Sequence, residues 1–207
     1  GGPLNIAVTV MGTVPTGAAL LRSGARPGDE LWVSHPLEDG LGIGDARLAL
    51  EVFRGRTSLA PDGWAAVRQR MERPQPRVSL GLAVRGVAHA AIDLSDGLVG
   101  DLGHVLKRSH VGATLNTDWI DTAQGLSAPV AALPWSQRLE WVLSGGDDYE
   151  LLFTAHADHR AEVQEAAMSV GVPVTHIGRI ERELGLRVMD RNGEPLSRRF
   201  QSFDHFA

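Results

Sequence analysis

An apolar run ends in two aspartates, Asp93 and Asp96, with Ser95 between them and Gly97 opening a turn. Carboxylates at this spacing, at the end of a strand, can converge on one point. Mg²⁺ favours such ligands, because it takes one or two carboxylates and fills its other positions with water and phosphate. The Ser95 hydroxyl and a following helix N-terminus would add donors for anionic oxygens. The spacing also fits a purely structural interpretation, in which Asp96 is only the N-cap of that helix.

A glycine pair followed by two acids forms a second candidate site, in the segment SGGDDYE at residues 144–150. Paired glycines let the backbone approach a ligand closely, and Asp147 and Asp148 then lead into a predicted strand. The pattern suits a loop that holds a cation or a metal-bound ligand. It is also typical of a helix C-cap and turn that carries solvated acids.

Arg22 is a third candidate, in the loop after the first predicted strand. A planar guanidinium can bind a phosphate through two hydrogen bonds, although a lone arginine in a loop is more often simply solvated. Lys107 is the only lysine in the sequence. Phosphate recognition would therefore rest on arginines, backbone N–H groups and metal ions.

Composition excludes several classes of protein. The chain has no cysteine, so disulfides, thiolate catalysis and cysteine-based metal sites are excluded. A net charge of -5 and a pI near 5.9 argue against a nucleic-acid-binding surface. The histidines lack the spacing of a metal motif, and no Walker A loop precedes Lys107. No apolar run reaches the roughly 20 residues of a membrane span, so we expect a soluble, cytoplasmic protein.

The elements that would position these residues alternate between strands and helices. Alternating β-branched residues predict strands, and apolar residues at helical spacing predict helices. Their order predicts an α/β or α+β layered fold, a mixed β-sheet covered by helices. The predicted strands are 5–11, 30–34, 89–94, 112–115, 149–155, 173–180 and 186–189, and the predicted helices are 46–53, 61–71, 78–87, 98–106, 138–143 and 157–170.

Seven segments occur in the order that is typical of the thiamine-monophosphate kinases. AIDLSDGL is shared with the wider superfamily of aminoimidazole ribonucleotide synthetase and selenophosphate synthetase, whereas SGGDDYELLF and the terminal FDHF are more specific to the kinases. The chain therefore resembles the C-terminal portion of a kinase of this family, with the C-terminal domain of the aminoimidazole ribonucleotide synthetase-like fold. The segments are VTVMG, LLRSGARPGD, RPQPR, AIDLSDGL, SGGDDYELLF, HIGRI and FDHF.

The resemblance implies an enzyme that transfers the γ-phosphoryl group of ATP in line to thiamine monophosphate, giving thiamine diphosphate with the help of several Mg²⁺ ions. The nucleophile would be a phosphate oxygen of the substrate, so no enzyme nucleophile is needed. Carried over by motif, Asp93 and Asp96 would be Mg²⁺ ligands. Arg22 and Ser95 would contact ATP.

The resemblance also implies two substrate-binding residues. Asp147, the first acid after the glycine pair, would bind the substrate, and Phe203 would pack on its cationic thiazolium ring. The kinases usually carry Glu at the first of these positions, and Asp147 is one methylene shorter. The segment of residues 34–39 also differs from the small-residue loop of the family, and we assign no function to it.

The domain organisation follows from the same resemblance. Residues 1–15 would be the last strand of a missing N-terminal ATP- and metal-binding domain, and residues 16–207 the C-terminal domain. In the family that N-terminal domain carries most metal-binding aspartates and the homodimer interface, so we expect this chain alone to be inactive. Two alternatives stay open: another ATP-dependent enzyme of the superfamily, such as a selenophosphate synthetase-like protein, and a non-catalytic ligand-binding domain.

Overall fold

A computed structural model describes residue 2 and residues 4–35, 42–123, 125–198 and 200. Within these ranges the chain forms one sheet of six strands and eight α-helices. In chain order they are β1 (Asp29–Ser34), α1 (Asp45–Phe53), α2 (Pro61–Glu72), α3 (Val78–Ala83), β2 (Ala88–Asp93), α4 (Leu98–Ser109), β3 (Gly112–Asn116), α5 (Asp118–Asp121), α6 (Ala128–Ala131), α7 (Trp135–Ser144), β4 (Leu151–His156), α8 (Arg160–Ser169), β5 (Val174–Glu181) and β6 (Gly185–Met189).

The strands of the sheet lie in the order β2-β4-β1-β5-β3-β6. Neighbouring strands run antiparallel, except for β3 and β6, which are parallel. Every residue of β1 is buried, because β4 and β5 flank its edges and apolar clusters cover both of its faces. The predicted mixed sheet with helices, of the α+β type, is confirmed.

Apolar side chains cover both faces of the sheet. Leu31 and Val33 of β1 join the larger core cluster, to which α4 contributes Leu102. Trp32, which points the opposite way because side chains alternate along a strand, joins a second cluster with Val163 of α8. Helices therefore pack on both faces, and the ends of the strands stay open for loops. None of the helices in the described part of the chain is long and apolar enough to cross a membrane.

The structure differs from the predicted elements at four places. No strand forms in residues 4–14, where Ile6, Val8 and Val10 are 78%, 81% and 88% exposed, since the described residues offer this segment no partner strand. The helix predicted over 78–87 ends at Ala83, before Gly86 turns the chain with φ 90°. The irregular stretch before α7 contains two short helices, and a 3₁₀ turn precedes α8.

Candidate active site

Backbone hydrogen bonds join the two candidate segments into one pair of loops. Strands β2 and β4 are adjacent and antiparallel, so the end of β2 meets the start of β4. The loops beyond these strand ends stay paired. Leu94 donates its N–H to the carbonyl of Glu150 at 2.9 Å, Tyr149 donates to Leu94 at 2.7 Å, and Asp147 donates to Ser95 at 2.8 Å.

Two glycines make this close pairing possible. A Cβ on Gly146 would lie 2.9 Å from the carbonyl oxygen of Ser95, and a Cβ on Gly97 would lie 3.0 Å from the backbone of Ser144. Both glycines also have positive φ, 76° and 103°, a region that other residues rarely adopt. The glycines of the two motifs therefore serve the close contact between the loops.

The four residues after the glycine pair point alternately outward and inward. Asp147 and Tyr149 are exposed, whereas Asp148 and Glu150 are buried. Asp147 and Tyr149 both have left-handed backbone, with φ of 58° and 51°, which is unusual for a bulky aromatic residue. Such outliers cluster at functional sites. The segment thus divides into an outer pair and an inner pair with different surroundings.

The outer pair lies near Asp93, which ends β2, and near Asp96 in the loop that follows. The Tyr149 hydroxyl donates a hydrogen bond to Asp147 at 3.4 Å. Burial raises the pKa of the Tyr149 phenol, and the negative charge of Asp147 adds to that rise. Asp93 and Asp96 raise the same pKa through their own charges. We call these three aspartates, with Tyr149, the acidic rim; three of the predicted site residues meet there.

Asp101 shapes the loop that carries Ser95 and Asp96, and the sequence analysis missed it. Its Oδ2 accepts hydrogen bonds from the backbone N–H groups of Ser95 at 2.9 Å and Asp96 at 3.0 Å. Burial raises the pKa of Asp101, against the opposing effect of these two donors. The interpretation of Asp96 as an N-cap is wrong, because Gly97 holds the cap position of α4. The signal for Asp101 was an acid in the first turn of the helix.

The carboxylates of the rim are the kind of oxygen ligand that Mg²⁺ prefers. Within the described ranges, no three His, Asp or Glu side chains converge closely enough to hold a metal ion by themselves. Asp93 is exposed and Asp96 half-buried, so both carboxylates can reach a ligand in solvent. Mg²⁺ needs only one or two protein carboxylates when phosphate and water complete its shell. The residues therefore fit a metal that arrives with a phosphate.

The other predicted site residues lie at different distances from the rim. Ser95 is half-buried within the paired loops. Arg22 is exposed, on a segment that runs along β2, where Ala91 donates its N–H to the carbonyl of Leu21 at 2.9 Å. Phe203 lies outside the described residues. The structure thus unites Asp93, Ser95 and the acids of the rim and sets Arg22 beside the same strand.

The inner pair belongs to a buried network of charges. Glu150, fully buried, accepts hydrogen bonds from Arg70, from Nε and Nη2 of Arg77 at 2.7 Å each, and from the Ser34 hydroxyl at 2.5 Å. Ser34 in turn accepts from the N–H of Leu151 at 2.8 Å. Two guanidinium groups, one from α2 and one from the residue before α3, therefore fix the residue that precedes β4.

Asp148 and Asp45 extend this network toward α1. Asp148 accepts from the N–H of Gly44 at 2.9 Å, while its Oδ2 is buried without a hydrogen-bond partner among the described residues. Burial raises the pKa of Asp148 well above its usual range. Burial also raises the pKa of Asp45 to about 6, although the Ser127 hydroxyl donates to it at 2.5 Å. We call Asp45, Asp148, Glu150 and the two arginines the inner network.

Comparison with known sequences assigns the chain to a protein family. Residues 26–191 match the family model described as AIR synthase related protein, C-terminal domain. The chain belongs to this family. Within it, the chain is 38% identical to thiamine-monophosphate kinase of Escherichia coli (strain K12) over 208 residues and 39% identical to that of Salmonella typhimurium. Each match covers 100% of this chain and 61% of the relative, so the chain spans about three fifths of these kinases.

Solved structures agree with this membership of the AIR synthase related family. Thiamine-monophosphate kinase from Stenotrophomonas maltophilia K279a superposes with a TM-score of 0.75 at 39% identity, over 88% of this chain and 56% of that one. AaThiL complexed with AMPPCP and TMP superposes with a TM-score of 0.65 at 27% identity, over 90% of this chain and 54% of that one. The chain is therefore similar, over most of its length, to the same part of several kinases.

Proposed function

We propose that this chain is the C-terminal part of an ATP-dependent kinase that phosphorylates thiamine monophosphate to thiamine diphosphate. The observation that carries the proposal is the acidic rim, which unites the two motifs that the kinases share with this chain. The similarity to kinases, one of them solved with AMPPCP and TMP, supports this choice of substrates. The reaction would be an in-line transfer of the γ-phosphoryl group of ATP to the phosphate of the substrate.

The residues of the chain would act by holding two anions in line. Asp93 and Asp96 would hold Mg²⁺ together with phosphate oxygens, and the bound ion would neutralise part of the charge of the polyphosphate. Ser95 and Arg22 would bind ATP, Ser95 through its hydroxyl and Arg22 through its guanidinium. The paired loops hold the backbone of Ser95 and Asp96 in place, so that little ordering of these two residues is needed when the substrates bind.

Substrate binding would fall to Asp147 and Phe203. Asp147 is exposed on the rim, and its side chain is shorter than the Glu that the kinases it resembles usually carry. The negative charge there suits the positive thiazolium ring of the substrate. Phe203 would add an aromatic face.

The proposal extends to the whole protein. Residues 1–15 would belong to an N-terminal domain that supplies further metal ligands, and the complete kinase would be a cytoplasmic homodimer through that domain. This chain alone would then turn over little or no substrate, because it holds only two of the metal ligands.

The first test is the conversion of thiamine monophosphate and ATP to thiamine diphosphate. It would compare this chain with a longer protein in which an N-terminal domain of the family precedes residue 1, each with and without Mg²⁺. We expect turnover only by the longer protein with Mg²⁺. A folded longer protein that leaves thiamine monophosphate unchanged would favour a sister enzyme or a binding domain instead.

Variants of the longer protein separate the rim from other acids. Asp93→Asn and Asp96→Asn should each lower the turnover number by about 100-fold or more, since each removes a proposed metal ligand. Asp121→Asn, which changes an exposed acid of α5, is the matched control and should retain activity. Equal rates in all three variants would contradict the assignment of the ligands.

A further inference from the structure

Residues 22–29, which we call the Arg22 loop, are held from two sides. Ser109, the half-buried last residue of α4, forms the first contact. Its hydroxyl oxygen accepts hydrogen bonds from the backbone N–H groups of Gly24 and Ala25, at 3.2 Å each. A hydroxyl oxygen has two lone pairs, and both are used here. One side chain therefore holds two consecutive residues of the loop.

His89 of β2 forms the second contact. Its Nδ1 lies 2.9 Å from both carboxylate oxygens of Asp29, the buried residue that ends the loop and begins β1. A carboxylate only accepts hydrogen bonds, so the ring nitrogen is the donor. Oδ2 of Asp29 also accepts from the N–H of Arg26 at 2.9 Å. A Cβ on Gly24 would lie 2.5 Å from the carbonyl oxygen of His89, so the loop packs closely against this residue.

These contacts fix the backbone on the C-terminal side of Arg22. On its other side, the carbonyl of Leu21 accepts from the N–H of Ala91 at 2.9 Å, which ties the chain to β2. Arg22 itself is exposed. The residue thus combines a held backbone with a side chain that is open to solvent. Such a frame favours binding, because less conformational freedom is lost when the ligand arrives.

We propose that three residues position Arg22 for the phosphates of ATP by holding the backbone of its loop. They are Ser109, His89 and Asp29. The inference rests on the part of the proposed function in which Arg22 contacts ATP. It adds residues that act through the loop and do not touch the nucleotide themselves.

The helix α4 would then orient both of the proposed phosphate-binding segments. Asp101, in its first turn, accepts from the N–H groups of Ser95 and Asp96, and Ser109, at its end, accepts from the Arg22 loop. The positions of Asp101 and Ser109 lie about 12 Å apart along the helix axis, at 1.5 Å per residue. A rigid helix therefore keeps a constant separation between two loops that contact the same nucleotide in the proposed function.

The competing interpretation is that these contacts only stabilise the fold. A purely structural contact lowers the free energy of unfolding, and any effect on ATP binding is then independent of the side chain at position 22. A positioning contact acts through Arg22, so its effect on ATP binding disappears once that guanidinium is removed.

Four exchanges in the longer kinase remove or keep these contacts. Ser109→Ala removes the acceptor of two N–H groups, whereas Ser109→Thr keeps a hydroxyl. His89→Leu removes the donor to Asp29, whereas His89→Asn keeps a side-chain N–H. Ser169→Ala is the matched control, because Ser169 is also the last residue of a helix and its hydroxyl donates to the carbonyl of Ala166 in the same helix, at 2.8 Å.

Two measurements report on ATP: the KM for ATP during turnover, and the affinity for AMPPCP with Mg²⁺, measured by calorimetry without thiamine monophosphate. We expect Ser109→Ala and His89→Leu to weaken both by about five- to tenfold, with less than a twofold change in the KM for thiamine monophosphate. Ser109→Thr and His89→Asn should retain most of the affinity, and Ser169→Ala all of it. In an Arg22→Gln background, Ser109→Ala should change the affinity for AMPPCP by less than about twofold.

The outcomes separate this inference from the proposed function. If the unmodified longer protein binds AMPPCP but leaves thiamine monophosphate unchanged, the proposed function fails, and the affinities for AMPPCP alone decide the inference. If it binds no AMPPCP, both fail.

Unchanged affinities in Ser109→Ala and His89→Leu would overturn the positioning role and leave the kinase in place. An equal loss of affinity with and without the guanidinium of Arg22 would do the same. Circular dichroism identifies a variant that does not fold, and His89→Leu decides the question if Ser109→Ala is such a variant.

Discussion

The acidic rim and the inner network are made by adjacent residues of one segment, yet their charges have opposite roles. Asp147 and Tyr149 face solvent beside Asp93, whereas Asp148 and Glu150, their neighbours in sequence, are buried. The rim brings several like charges close together, and a bound cation would relieve the repulsion between them. The inner network surrounds its acids with two arginines and with donors from the backbone.

This difference shows that only the surroundings of an acidic residue decide whether it serves a binding site or stabilises the fold. A buried carboxylate is tolerated when it is paired or protonated. If one member of a buried ion pair is removed, the remaining charge stays buried without compensation, and the folded state is destabilised. An exposed carboxylate contributes little to stability and stays available for a ligand. We therefore expect the inner network to control folding and the rim to control binding.

Glu150→Gln should give the largest loss of stability. Among the described residues, Glu150 is the only acid that contacts both Arg70 and Arg77. Its exchange leaves two buried guanidinium groups without their carboxylate partner, so we expect the free energy of unfolding to fall by about 3–5 kcal/mol. The control is Glu72→Gln, which breaks the exposed pair with Arg68 and should cost less than about 1 kcal/mol. Urea unfolding measures both; similar losses would remove the distinction between buried and exposed pairs.

Asp45→Asn should change the pH dependence of stability. The pKa of Asp45 is raised to about 6 in the folded protein, from an ordinary value of 3.8, so its contribution to stability is complete below pH 4 and is lost as the pH rises through 6. Asparagine does not titrate, and it can accept from the N–H of Gly42 through its oxygen while its amide N–H donates to the Ser127 hydroxyl. Between pH 4 and pH 7 the unmodified protein should lose up to about 3 kcal/mol relative to the variant.

Urea unfolding of the two proteins at pH 4, 5, 6 and 7 isolates this group, since the other acids titrate in both. A difference in unfolding free energy that does not vary across this range would show that Asp45 is ionised normally in the folded chain.

Asp101→Ala tests the link between scaffold and rim. It leaves the N–H groups of Ser95 and Asp96 without their acceptor, so we expect a loss of about 2 kcal/mol and a rim that holds its ligands less well. Asp62→Ala is the matched control, an exposed acid in the first turn of α2, and should cost about 0.5 kcal/mol. Thermal unfolding compares the stability of the two variants. An equal loss of stability would mean that Asp101 contributes only as an acid in the first turn of α4 and not through Ser95 and Asp96.

Asp93→Asn should give the smallest change in stability. Asp93 is exposed at the end of β2, and its exchange removes a repulsion within the rim, so the unfolding free energy should change by less than about 0.5 kcal/mol. The measurement is thermal unfolding without Mg²⁺ or nucleotide. A loss above about 1.5 kcal/mol would place Asp93 in the scaffold and weaken its assignment as a ligand.

Much of the fold could be predicted because its elements are strongly periodic. The strands at 30–34 and 89–94 and the helix at 98–106 differ from the structure by only a few residues at their ends. The strand predicted at 5–11 did not form, since a strand depends on a partner that local pattern does not reveal. The roles proposed for Asp93, Asp96 and Asp147 rest on resemblance, because spacing alone left a structural alternative open.

The inner network could not be predicted from local pattern. Arg70 and Arg77 lie 80 and 73 residues before Glu150, and nothing in the sequence near Glu150 points to them. The inward turn of Asp148 and Glu150 depends on the left-handed backbone of Asp147 and Tyr149. Two adjacent acids in a loop are ordinarily taken as solvated, and only the long-range contacts distinguish Asp148 from Asp147.

The hydrogen bond between Ser34 and Glu150 joins residues that are 116 positions apart. Contacts at such separation form late, because the intervening chain must first be ordered. During synthesis, neither the inner network nor the paired loops can close until β4 has left the ribosome. Arg70 and Arg77 are therefore synthesised well before Glu150, their shared partner, and the paired loops can assemble only once β4 is available.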